Sequence, residues 1–276
     1  MASPLISFIV VTHNRPVELV TGRVIRSIAE QSYASRELIV VGENCFHFAS
    51  LVERVRTLFP ALPIRCTNVL RRQYETNPRA LAAKCRNVGV AMASGEFISC
   101  QDDDNELDRE FAASLLECLL STGAEAAWCH RRVVMPDGSR YPGTFFPWAD
   151  PISYHGKLIY DIWCAAGVIV PGSDVIRDQL LATYNSETFS TVDANEWLVR
   201  AEIYRQFPFR EKYGYYDLMG NASFDDIWNL NIRAAGVRAV SSEKVGLTYH
   251  LGGQSNKSFV DCWHQLSAMN GTVNEL

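Results

Sequence analysis

GEFISCQDDDN, residues 95–105, sets a short apolar run against three consecutive carboxylates. Phe97 to Cys100 reads as a buried strand, because it is short, partly aromatic and preceded by Gly95. Carboxylates at the end of such a strand meet the crevice where open α/β sheets bind ligands. Asp102, Asp103 and Asp104 repel one another unless a cation or a bound donor group compensates them. A hard divalent ion with phosphate oxygens does this well, since Mg²⁺ favours a few carboxylates plus substrate phosphates. The alternative is a solvated acidic turn that starts a helix near Glu106, where anions also suit the helix dipole.

Working outward from this stretch, the first hundred residues alternate strand and helix. Leu5–Val11, Glu37–Val41 and Pro63–Leu70 are β-rich runs. Val17, Val20, Val24 and Ile28 recur at helical spacing, as do Leu81, Cys85, Val88 and Met92, and Leu51–Leu58 is a third helix. Strands separated by helices argue for a parallel sheet with right-handed crossovers. The polar tips Thr12–Arg15, Gly42–Asn44 and Asp102–Asp104 then gather on one edge, where a ligand site is expected.

The second half is less regular. Ala124–Met135 reads as a strand, Pro136-Asp137-Gly138 as a turn, and Ala165–Val170 as a further strand. Tyr141–Tyr160 is rich in aromatics and Pro and has no clear period. A helix is expected within Ser223–Gly236, a short strand at Val237–Val240, and a mobile loop at Leu251–Lys257 (LGGQSNK).

The 276 residues fit one large α/β domain or two small ones, and the 47% hydrophobic fraction supports a sizeable core. A net charge of −5 gives no general nucleic-acid footprint. No apolar stretch reaches the roughly 18 residues that span a bilayer. MASPLISFIVVTHN reads as a first strand and not as a signal peptide. Of the eight cysteines none forms a CxxC pair, so buried free thiols in a reducing cytoplasm are expected.

Four segments resemble glycosyltransferase family 2, the nucleotide-sugar transferases of GT-A fold: IVVTHNRP (Ile9–Pro16), ELIVVGENC (Glu37–Cys45), AAKCRNVGVAMASGEFISCQDDDN (Ala82–Asn105) and DDIWNLNIRAAGVRAVSSEKVGLTYHLGGQSN (Asp225–Asn256). The order and approximate spacing agree along nearly the whole chain. The second segment departs from the family, which usually has an acidic pair where this chain has Gly42-Glu43. The resemblance implies a Rossmann-like α/β fold, with a mixed, mainly parallel sheet flanked by helices in one continuous domain. Residues 1–105 would serve the nucleotide, and residues 106–276 the acceptor and catalysis. The implied reaction moves a sugar from a nucleoside-diphosphate sugar, with UDP the expected nucleotide, to the hydroxyl of a small-molecule or glycan acceptor, usually with inversion.

By the same resemblance, Asp104 and Asp102 ligate Mn²⁺ or Mg²⁺ as the ends of a DxD motif, and Asp103 faces the ribose. Thr12, Asn14, Arg15 and Glu43 line the base and ribose, and Arg86 reaches a phosphate or the nucleotide. Such chemistry needs a stabilised leaving group and a base for the acceptor proton. Asp225 and Asp226 sit where the family places that base, with Asp226 favoured. Ser223-x-x-Asp226 also has the form of a capping box, and the two roles can coexist at different atoms. Asp193–Glu196 is a second acidic candidate, before a helix containing Arg200. His250, before the glycine-rich loop, could ligate the metal or bond a phosphate. The aromatics Phe145, Phe146, Trp148, Tyr154 and Trp163 would form either an apolar or sugar-stacking acceptor wall or core. Three other readings stay open: a retaining transferase, a nucleotidyltransferase or sugar-nucleotide-binding protein, and a catalytically silent partner subunit.

Overall fold

The computed structural model describes residues 3–73, 75, 77–214 and 223–253. Four strands build the first half: β1 (Ile6–Thr12), β2 (Arg36–Glu43), β3 (Ile64–Val69) and β4 (Phe97–Asp102). They run parallel, with β1 between β2 and β4 and β3 outside β2. Every residue of β1 is buried, as a central strand covered on both faces requires. Ile6, Phe8 and Val10 join one core cluster, and Ile9 and Val11 another, following the two-residue alternation of a strand.

The first face carries α1 (Val17–Val20), a π-helical turn (Thr21–Ile25), α2 (Arg26–Ala29), α3 (Phe48–Leu58) and α5 (Phe111–Thr122) through Val20, Val24, Ile28, Leu51, Val55 and Leu115. The other face carries α4 (Pro78–Met92) through Cys85 and Val90. α4 starts where Asn77 Oδ1 accepts the Arg79 and Ala80 N–H groups at 2.9 and 3.3 Å, with Pro78 in the first helical position. It lies so close to β1 that a Cβ on Gly89 would come 2.3 Å from Ile9 Cγ2.

The second half adds β5 (Glu106–Leu107), β6 (Ala126–Val134), α6 (Tyr154–Ala165), β7 (Val175–Ile176), the hairpin β8 (Ala182–Tyr184)–β9 (Glu187–Phe189), β10 (Trp197–Arg200), α7 (Ala201–Gln206), α8 (Phe224–Ala234) and β11 (Ala239–His250). The main sheet runs β3-β2-β1-β4-β10-β6-β11-β5, with β7 on β6. β10 is antiparallel to both β4 and β6, so β6 points the same way as β4. The residues preceding β10 therefore arrive at the edge where β1, β2 and β4 end. Three tryptophans of this half pack at centroid distances of 5.4 Å (Trp128–Trp197) and 5.5 Å (Trp197–Trp228), closing the second core face.

Several elements differ from the sequence-based expectation. Glu106 starts no helix; it pairs with Thr248 as an edge strand, and the helix begins at Phe111. Ala165 ends α6 instead of opening a strand, and Ile169 makes only an isolated bridge to Ile176. Arg200 closes β10, and its helix starts one residue later. β11 is much longer than Val237–Val240, with register shifts after Ser241 and Val245. The seven cysteines described are unpaired, and Cys262 lies outside the described residues. Among the described residues no helix is long and apolar enough to cross a membrane.

The Gly89 contact makes a test of the α4–β1 packing. Gly89→Ala should destabilise by about 1–3 kcal/mol, the usual cost of overpacking, despite the better helix propensity of Ala. A thermal melt unchanged or raised would show that α4 can lift off Ile9 freely.

Candidate active site

Strand register assembles the site. Val11 pairs with Asp102 and Thr12 with Gly42, so the ends of β1, β2 and β4 converge. The buried Thr12 donates from Oγ1 to Asp103 Oδ2 at 2.7 Å, and the His13 N–H reaches the same oxygen at 3.3 Å. Arg15 Nη2 donates to Asp104 Oδ2 at 2.6 Å, with Nε 3.4 Å from Asp103 Oδ1. From the π-helical turn, Arg23 donates to the Asp104 carbonyl at 3.3 Å. Asn14 takes a left-handed φ of 49° and accepts the Phe46 N–H at 2.8 Å. It ties two loops together and does not line the cleft. His13 Nδ1 lies 2.7 Å from the Glu43 carbonyl, bringing Glu43 to the same wall.

Asp102 is held from two sides. Arg86, itself 2% exposed, bonds its Oδ1. Asn195 Nδ2 donates to its Oδ2 at 2.8 Å, while Asn195 Oδ1 accepts the Asp102 N–H. The second Asn195 amide hydrogen goes to Asp193 Oδ1, so one buried amide links Asp102 to Asp193. Asp193 and Glu196 close a capping box around the turn Ala194–Glu196. Behind them the buried Arg131 meets Asp178 at 2.9 Å, Glu196 at 3.3 Å and Asp193 at 3.5 Å. Its guanidinium also lies 4.5 Å from the centre of the Trp148 ring.

Asp225 and Asp226 open α8. The Ser223 hydroxyl sits between them, bonding Asp225 Oδ1 and, at 2.6 Å, Asp226 Oδ2. The Asp226 N–H returns to Ser223 Oγ at 3.1 Å and the Ser223 N–H to Asp226 Oδ2 at 3.2 Å, a complete capping box. Asp226 Oδ1 has no hydrogen bond among the described residues, so capping occupies one oxygen and leaves the other.

A cleft of about 990 Å³ joins these groups. Arg15, Glu43, Arg79, Arg86 and Asp102–Asp104 line one part, Asp193, Asp225 and Asp226 the middle, and Phe146, Trp148, Trp163 and Tyr249 the far wall. Phe145 instead packs edge-on against Tyr141, and Tyr154 faces solvent. Burial, then the neighbouring Asp102 and Asp103, push Asp104 up to about 7. Burial, then Asp193 and Asp226, do the same to Asp225. Burial also raises Asp103, Asp193 and Glu43.

Such mutual repulsion fits a hard cation at Asp104. Asp102 has both oxygens engaged, Oδ1 by Arg86 and Oδ2 by Asn195. Among the described residues no group of three His, Cys, Asp or Glu side chains is arranged to hold a metal. His250 is not brought to the carboxylates. Its Nε2 lies 3.7 Å from Glu106, and its N–H reaches Asn105 Oδ1 at 3.3 Å. The chain after it does reach them: a Cβ on Gly253 would lie 3.0 Å from Asp104 Oδ2 and 3.5 Å from Arg15 Nη2. Residues 254–257 of the expected loop lie outside the described residues. Three residues that no local pattern marks are central here. Asn195 and Arg131 matter through strand neighbours distant in sequence, and His13 through the end of β2.

Comparison with known proteins gives a consistent picture. The sequence profile of Glycosyl transferase family 2 matches residues 48–181. The uncharacterized glycosyltransferase YwdF of Bacillus subtilis is 28% identical over 167 residues, 59% of this chain and 56% of that protein. TarS 1–349 of S. aureus, solved with UDP-GlcNAc, superposes with a TM-score of 0.56 at 17% identity, over 94% of this chain and 64% of that one. The mannosyltransferase PcManGT of Pyrobaculum calidifontis, solved with GDP-Man and Mn²⁺, does so with a TM-score of 0.56 at 18% identity, over 92% and 59%. The chain thus spans somewhat under two thirds of the length of these proteins.

The raised carboxyls have a consequence for stability. A carboxyl whose pKa is higher folded than unfolded stabilises the fold while protonated. That contribution is complete below the unfolded value of about 3.9 and is lost as pH rises through the folded value. With Asp104 and Asp225 at about 7, the ligand-free protein should lose stability progressively between about pH 5 and 7, with little further loss above about 8. Denaturant midpoints that rise over this interval would contradict the assignment.

Proposed function

We propose that the chain is a glycosyltransferase of family 2 with the GT-A fold, and that it transfers a sugar from a UDP-sugar to an acceptor hydroxyl with inversion, assisted by a divalent metal. The observation that carries this reading is a single cleft with Asp102–Asp104 along one part and the Asp225–Asp226 pair in its middle. The nucleoside diphosphate sugars bound by TarS and the Pyrobaculum enzyme support a donor of the same class. In this reading residues 1–105 bind the nucleotide, and the later elements bind the acceptor and supply the base. The unpaired thiols suit a cytoplasmic setting.

Each residue then has a task. Asp103, fixed by Thr12 and the His13 N–H, presents a carboxylate to the ribose hydroxyls. Arg86 and Asn195 set the orientation of Asp102. Asp104 would hold Mn²⁺ or Mg²⁺, which when bound stabilises the charge of a departing diphosphate. Arg15 compensates Asp104 in the ligand-free protein and is within reach of donor phosphates. His250 has its ring beside Glu106, so we give it a phosphate contact only through movement of the chain that follows.

Asp226 is the proposed base. Ser223 and the start of α8 hold one of its oxygens, leaving Oδ1 for the acceptor. As the acceptor oxygen bonds to the anomeric carbon, its proton passes to Asp226. The sugar–diphosphate bond breaks, and the diphosphate leaves with the bonding pair. Asp225, already crowded by Asp193, is a neighbour whose protonation relieves repulsion.

Two measurements test the reading. UDP with Mn²⁺ should raise the melting temperature well above either alone, and Asp104→Asn should abolish that synergy without lowering the melting temperature of the ligand-free protein. Equal UDP binding after EDTA treatment would remove the metal from the scheme. Asp226→Asn should lower turnover by about 10²-fold or more, the scale of general-base catalysis, with UDP affinity nearly unchanged. Normal turnover with an earlier melt would make Asp226 a helix cap and move the base to Asp225 or Asp193.

A further inference from the structure

The far wall of the cleft has a composition unlike the donor side. Phe146, Trp148 and Trp163 form a triangle with centroid distances of 5.0, 5.4 and 5.8 Å, and Ile159 lines the cavity beside them. Trp148 and Trp163 are only half-buried although both pack against neighbouring rings. The helix that carries Ile159 and Trp163, α6, buries only Gly156. It is pinned there, since a Cβ on Gly156 would come 2.2 Å from the Asp150 carbonyl. Its other large side chains stay out: Tyr154 is 83% exposed, Leu158 40%, and Ile152 just before the helix 60%. Apolar surface thus continues from inside the cavity onto its rim, which a monomeric protein seldom leaves uncovered without a ligand or partner.

Charge narrows what could cover it. Asp150, Asp193, Asp225 and Asp226 line the same region. Two guanidinium groups line this end: Arg131 is already shared among Asp178, Glu196 and Asp193, and Arg86, over the Phe224 ring, is bonded to Asp102, while Lys157 of α6 is exposed outside the lining. An anion entering this end would meet carboxylates and find, among the described lining residues, no unshared guanidinium or ammonium. We propose, resting on the transferase reading above, that this wall receives the acceptor, and that the acceptor is a hydroxyl-bearing molecule with an apolar body and no negative charge. An aryl or alkyl aglycone meets that description; a lipid phosphate does not. The hydroxyl points to Asp225 and Asp226, and the apolar body lies along Trp148 and Trp163 and leaves over Tyr154 and Leu158.

Calorimetric titration of the whole chain with methyl β-glucoside, phenyl β-glucoside and phenyl phosphate tests this, with and without UDP and Mn²⁺. Phenyl β-glucoside should bind at least about tenfold tighter than the methyl compound, or about 1.4 kcal/mol, and at least tenfold tighter than phenyl phosphate. Trp163→Ala should erase the preference for the phenyl compound and leave UDP affinity unchanged. If that variant does not fold, Ile159→Ser on the same wall should reduce the preference severalfold. Equal affinity for methyl and phenyl glucosides would make the wall packing only, and tighter binding of phenyl phosphate would overturn the charge argument. A phenyl preference without any UDP binding would sink the transferase reading and spare the subsite. UDP binding without the preference would do the reverse.

Discussion

Negative charge gathered at one sheet edge is the constraint around which this molecule is arranged. Asp102, Asp103 and Asp104 end one strand, Asp193 precedes its antiparallel neighbour, and Asp225 and Asp226 open the helix across the cleft. Like charges so close are costly in a partly buried place, and each needs a partner or a proton. Arg15, Arg86 and Arg131 are distributed so that no guanidinium serves the whole cluster. The compensation is incomplete at Asp104 and Asp225, the two groups raised to about 7. Incomplete compensation is expected of a surface that must still accept a ligand: a fully paired edge would have nothing left to offer one.

Removing Arg131 would act on two walls at once. It neutralises carboxylates below the cleft and stacks against Trp148 on the aromatic side. A buried guanidinium with three acidic neighbours contributes little net stability compared with an apolar replacement of the same shape, yet losing it alone strands buried anions. Its value lies in fixing where Asp193 and Trp148 stand relative to each other. Asn195 plays the same part between Asp193 and Asp102 with no net charge, using both amide hydrogens and its oxygen.

The parts of the fold legible in the sequence were those with a clean period. β1 and β4 show as apolar runs, α4 shows as a helical stripe, and the acids after Cys100 fall where strand register puts them. The helix α6 was not legible because it buries a single glycine and so leaves no apolar stripe to read. β11 was underestimated because Ser241–Lys244 interrupts it with polar residues at a register shift and a left-handed Glu243. Thr12 and Asn14 sit at the expected edge but spend their side chains on the loops themselves. Asn195 could not have been found locally. Its importance comes from a strand inserted beside β4, and spacing along the chain carries no trace of that.

That insertion bears on how the chain reaches its structure. Ile98 of β4 pairs with Val199 of β10, roughly a hundred residues later, so the sheet cannot close at its centre until most of the protein has been synthesised. Until then β4 is an edge, with unpaired amides and carbonyls beside a hydrophobic surface, the situation that invites misassociation. Residues 1–105 as a separate fragment would keep that exposed edge permanently. The two halves share one site and also one folding event, and a circular permutant that delivers β10 soon after β4 would shorten the vulnerable interval.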